Sequence, residues 1–115
     1  MPNPKDIVRL RHMLDATRKA IQFVQGQSRA DLDADDMLAL ALVRLLEGVG
    51  EASKGVSPGL RRSCPEIPWD PIGGTRDRLI HGYFDVDFDI VWAIITTDLP
   101  PLIAQLEKIV ASENC

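Results

Sequence analysis

The sequence predicts an all-α domain, an up-and-down bundle of four principal helices with one short extra helical turn. Three observations predict it. Apolar residues recur at intervals of three and four along 5–25, 33–54 and 88–111, the spacing that lines one face of a helix. The only period-two alternation, Asp85 to Asp89, is five residues long. The periodic stretches are joined by short segments rich in Gly, Pro and Ser, as neighbouring helices in a bundle require.

In the first stretch Ile7, Leu10, Leu14, Thr17, Ile21 and Val24 form the apolar stripe, and Gly26 ends the helix. His12 lies off the stripe and reads as an exposed bystander. Ser28 and Asp31 read as capping residues. A second helix runs from about Asp33 to Lys54, with Asp33, Asp35 and Asp36 at its start, where the helix dipole favours negative charge. Its face of Leu38, Leu42, Leu45, Leu46 and Val49, widened by Met37, Leu40 and Ala41, marks it as the central helix. Gly48 and Gly50 near its end would let another helix approach closely.

Ser57-Pro58 is an N-cap and first-turn pair, so a short helical turn is expected over 58–63. Beyond the proline-rich joint from Cys64 to Pro71, a third helix should begin near Trp69 to Pro71 and run to about Ile80. Gly73 and Gly74 weaken it, and Gly82 ends it. Asp87 is the expected N-cap of a last helical region over 88–111, bent near Pro100-Pro101.

One hundred and fifteen residues make a single domain, 1–115. A 45% apolar and 26% charged composition is that of an ordinary globular protein. The longest apolar run, Met37 to Val43, is far short of a membrane span. The first residues lack a signal-peptide core, so a cytoplasmic location is expected. Cys64 and Cys115 suggest no disulfide framework. With His12 and His81 they match no metal-ligand spacing, so neither a metal nor any other cofactor is expected. The net charge of −4 argues against broad nucleic-acid affinity. It is unevenly spread, however, at +3 over 1–25, −4 over 26–52, +2 over 53–84 and −5 over 85–115. A small basic patch in the third segment suits a short RNA contact better than a long duplex.

That segment contains Arg76-Asp77-Arg78-Leu79-Ile80-His81-Gly82-Tyr83. Arg offers a fork of donors matched to phosphate oxygens, His gives or takes a proton near neutral pH, and Tyr adds a hydroxyl. Metal-independent RNA cleavage needs such a set, although the same residues also serve elsewhere as solvated charge, satisfied histidine and half-buried aromatic. On a straight helix Arg76 and His81 point about 140° apart. Asp77 and His81 would share a face, and Arg76 and Tyr83 would align if the helix persisted. One chain thus offers an incomplete constellation, which a two-fold homodimer would complete. Asp77 beside His81 would favour imidazolium, or else pair only with Arg78 or solvent. Arg78 reads as a solvated or intersubunit cation, with a weaker role on RNA. Arg61 and Arg62 are candidate phosphate contacts, and Trp69 and Trp92 read as core or interface.

The segments Arg11–Ala16, Phe23–Arg29, Gly50–Ala52, Pro65–Trp69 and Arg76–Asp87 together resemble the HepT-type branch of the HEPN family, over nearly the full length. The family signature is Arg, four to six residues, His, any residue, Tyr. The resemblance implies a dimeric helical bundle and a metal-independent endoribonuclease acting on RNA, the toxin of a toxin–antitoxin pair. A partner MNT-type nucleotidyltransferase would be the antitoxin. By position, Arg76 and His81 become the catalytic pair, with Asp77 supporting where relatives often have Asn. Tyr83 becomes the hydroxyl that receives adenylate in some members. Gly73-Gly74-Thr75 departs from the family's usual Ile-Gly-Met. Two other readings fit the sequence, a non-catalytic nucleotide- or protein-binding dimer that partners the transferase, and a purely structural dimer.

Overall fold

The computed structural model describes residues 3–81, 85–112, 114 and 115. Helix α1 spans Pro4–Val24, with the Asn3 side chain accepting from the Asp6 amide and Pro4 in the first turn. Its buried face is Asp6, Leu10, Met13, Leu14, Thr17 and Ala20, while His12 is exposed. The expected stripe is present, with Ile7, Ile21 and Val24 half-buried at its edges. Met13 and Ala20 join it because the contact face is wider than one seam. Gly26 takes a positive φ of 74° just beyond the helix. Buried Asp6 accepts from the Ser57 amide at 2.8 Å and the Ser57 hydroxyl at 2.6 Å. That pair of bonds ties the start of α1 to the cap of α4, Pro58–Ser63.

The expected second helix is divided. A single turn, α2 (Asp31–Ala34), precedes α3 (Asp36–Lys54), and Asp35 between them is extended, its side chain capping the Leu38 amide. An aspartate that satisfies a free amide at a new helix start competes with continuing the old helix. Helix α3 packs against α1, α2, the later α5 (Trp69–Gly73) and α6 (Thr75–Leu79), and α7 (Phe88–Ala93), so it is central as expected. Its buried face includes Ala39, Leu42, Val43, Leu46 and Val49. Met37 and Leu40, expected to widen that face, are instead 83% and 70% exposed. At Gly50 an added Cβ would stand 3.0 Å from the Ile72 carbonyl oxygen, so the close approach expected here occurs against α5. At Gly48 it would meet nothing within 4 Å.

The third helix is also broken. Helices α5 and α6 meet at Gly74, and the helix stops at Leu79 rather than near Gly82. Ile80–His81 then forms β1, paired antiparallel with β2 (Asp85–Val86), with Ile80 opposite Val86 and His81 opposite Asp85. Asp87 is the N-cap of α7, accepting from the amides of Asp89 and Ile90. A π-helical turn, Ile94–Asp98, leads into α8, Leu99–Ser112. The bend expected at Pro100-Pro101 is expressed as this wide turn. Two prolines without N–H groups cannot bond back to the preceding turn, and their rings need room there.

The core is one cluster built around Leu10, Met13, Leu42, Leu46, Leu79 and Leu106. No described helix is long and apolar enough to cross a membrane. Contrary to the sequence expectation, Cys64 and Cys115 are bridged, with Cα atoms 5.3 Å apart and a sequence separation of 51. Cys64 is buried at the C-terminal cap of α4, and the chain beyond α8 returns to it. Nothing local to either cysteine encodes that meeting. Reduction, or Cys115→Ser, is expected to lower the unfolding free energy by about 2–4 kcal/mol. The measurement is the denaturant midpoint with and without reductant, which should differ for the wild type and not for Cys115→Ser.

Candidate active site

Helix α6 is held by its two inward residues. Leu79 is fully buried and Thr75 nearly so, and the Thr75 hydroxyl donates to the Ile72 carbonyl at 2.6 Å. With those two facing the core, the intervening Arg76, Asp77 and Arg78 are driven outward, and all three are exposed. At about 100° per residue, Arg76 and Arg78 leave the helix on opposite flanks of Asp77.

Arg78 lies 3.7 Å from Asp98 on the π-helical turn, with its side chain still exposed. On that flank lies an apolar cleft of about 310 Å³ lined by Leu46, Ile72, Ile94, Leu99 and Leu102. Arg76 makes no ion pair with a described residue. Its guanidinium is thus available to an external anion.

Because α6 stops at Leu79, the helical relations expected within the motif do not hold. Asp77 and His81 are not four residues apart on one helix, since His81 belongs to β1. Nor does a continuous helix align Arg76 with position 83. Gly82, Tyr83 and Phe84 fall outside the described residues. The chain instead turns from helix to extended backbone between Arg76 and His81, which removes the fixed 140° separation of a straight helix.

The hairpin is followed by α7, whose first turn is braced by a residue for which no functional role was expected. Arg29 reaches Asp89 at 2.7 Å and Asp33 at 3.2 Å, and its guanidinium lies 5.9 Å from the centre of the Phe88 ring. The hydrogen bond to Asp89, then that to Asp33, raises the pKa of Arg29 above the ordinary arginine value. Sixty residues separate Arg29 from Asp89, so no local pattern could announce this tie. Trp69 is buried and donates from Nε1 to the Cys64 carbonyl at 3.0 Å, the core role expected of it. Trp92 is half-buried against the core. Arg61 is partly buried and Arg62 is exposed on α4. Among the described residues, Cys64, Glu66 and Cys115 come within metal-ligand reach of one another. The two sulfurs are bonded together and offer no thiolates.

The model of HepT-like ribonucleases matches residues 13–109. The chain belongs to the HepT-like ribonuclease family. It is similar to a protein named putative RNase in Caldanaerobacter subterraneus subsp. tengcongensis, 38% identical over 105 residues, covering 91% of this chain and 94% of the relative. A protein named probable ribonuclease HepT in Thermococcus cleftensis is 36% identical, with coverage of 84% and 91%. One named putative RNase in Methanocaldococcus jannaschii is 31% identical, with coverage of 83% and 87%. No solved structure gives a significant match. In a HepT-like chain the enzymatic class is endoribonuclease, and the exposed Arg76 turn running into the His81 hairpin lies inside the matched region.

Proposed function

We propose that this HepT-like ribonuclease is the toxin of a toxin–antitoxin pair, a metal-independent endoribonuclease that works as a homodimer in the cytoplasm. The observation that carries the reading is Arg76, exposed and without an ion pair among the described residues, one short turn before the hairpin that bears His81. In the reaction a base removes the proton of a ribose 2′-hydroxyl, and that oxygen attacks the adjacent phosphorus. The bond from phosphorus to the 5′-oxygen breaks, and an acid protonates the leaving oxygen. His81 from the two protomers divides the acid and base roles. Arg76 offsets the charge that builds on the phosphoryl oxygens.

The homodimer reading draws on the exposed apolar pair of α3. Met37 and Leu40 protrude into solvent, and Leu40 lines a depression with Val43, Asp85, Val86 and Phe88, beside the hairpin. A second copy seated there would bury apolar surface and bring its own motif towards the first. Tyr83 is the proposed target of the cognate nucleotidyltransferase antitoxin. Its oxygen attacks the α-phosphorus of ATP, pyrophosphate leaves, and the added adenylate blocks the site. Shielding by the bound antitoxin has the same outcome. Purified protein in chelator should cleave RNA to products ending in 2′,3′-cyclic phosphate and 5′-hydroxyl. Transferase and ATP should stop cleavage and add adenylate mass at Tyr83. Cleavage that requires an added divalent ion, or persists after Tyr83 is modified, counts against this reading.

A further inference from the structure

Two open depressions on the surface, of about 530 Å³ and 300 Å³, share Arg61, Trp69 and Asp70, so they form one groove across α5. One end is lined by Arg62 and Pro65 on the α4 side, the other by Asp77, the neighbour of Arg76. Arg61 and Arg62 make no ion pair with a described residue. Both line the larger depression, Arg61 partly buried and Arg62 exposed. Lys54 also lines the groove but is held near Glu51 at 3.8 Å. The groove therefore alternates chemistry along its length, with the Arg62 guanidinium at one end, Arg61 and the Asp70 carboxylate in the shared middle, and the Asp77 carboxylate at the other end.

We infer that this groove binds single-stranded RNA beyond the cleaved linkage, with phosphates on Arg61 and Arg62 and ribose hydroxyls on Asp70 and Asp77. The inference rests on the ribonuclease reading for its substrate. A carboxylate repels phosphate but accepts from a hydroxyl, and the 2′-hydroxyl distinguishes RNA from DNA. The same argument disfavours an acidic peptide, which offers no hydroxyl row to the acidic end. The path leads along the groove to Asp77 on α6, the sequence neighbour of Arg76.

The test uses full-length protein carrying His81→Ala, which removes cleavage from the measurement, and a fluorescent oligouridylate as probe. Adding Arg61→Ala and Arg62→Ala should weaken binding about tenfold and reduce the slope of log affinity against log salt by about 1.4, near 0.7 for each phosphate no longer neutralised. The exposed Arg62→Ala alone should reduce it by about 0.7, a readout that survives if the double variant misfolds. Lysine at both positions should restore most of the slope. Asp70→Ala should narrow the gap between the oligouridylate and its deoxy counterpart. Unchanged affinity and slope in the Arg62→Ala protein, or an unchanged RNA-to-DNA gap in Asp70→Ala, overturns the inference. Failure of the ribonuclease reading shows separately, as absence of cleavage by the wild type.

Discussion

His81→Ala is expected to lower RNA cleavage by about 10²–10⁴-fold, the range that a positioned acid or base contributes, and to abolish growth inhibition. Purified variant and wild type should share a far-UV spectrum and a similar thermal midpoint. His81 occupies an edge position in a two-residue strand, paired through its backbone with Asp85, and alanine can make the same backbone bonds. The fall should lie in kcat more than in KM, because a proton-transfer group acts on the transition state. Cleavage at the wild-type rate by this variant would remove the imidazole from the mechanism. Arg76 would then be left to bind phosphate without an acid or base beside it.

Leu40→Asp should convert the protein to monomers and reduce cleavage by a comparable factor. At 70% exposure in one chain, Leu40 contributes little to the folded protomer, so the helix tolerates the change. Placed within an apolar contact between two copies, the new carboxylate should cost about 2–4 kcal/mol of association energy. Light scattering gives the mass, and a cleavage assay at the same protein concentration gives the activity. Dimers that persist at full activity would place the interface elsewhere. A monomer that still cleaves at the wild-type rate would end the shared-site mechanism, since one chain would then suffice.

The long helices are legible in the sequence because burial repeats along them. Leu10, Leu14 and Thr17 on α1, and Leu42, Leu46 and Val49 on α3, are buried where the three-and-four spacing puts them. Interruptions are less legible. Asp35 and Gly74 carry signals that fit dipole complementation and a weak helix, yet each marks a break. A cap and a mid-helix residue of the same type differ only in whether the neighbouring turn is packed. Met37 and Leu40 illustrate the converse error, since apolar character alone does not say whether the chain's own core or an outside surface lies opposite.

Within the candidate site, the chemistry of Arg76, Asp77 and His81 is legible in the sequence, but their mutual orientation is not. Helical spacing presupposes a helix, and α6 ends at Leu79 where Ile80 turns extended to pair with Val86. The sequence by itself determined an all-α chain, the faces of its long helices and the residue types gathered at one motif. All of these follow from interactions between near neighbours. The tertiary structure alone decided the hairpin that carries His81, the hold of Arg29 on Asp89, the bridge from Cys64 to Cys115 and the groove across α5. Apart from the hairpin, whose partners Ile80 and Val86 are close in sequence, each depends on distant segments meeting, which is governed by the packing of the whole core.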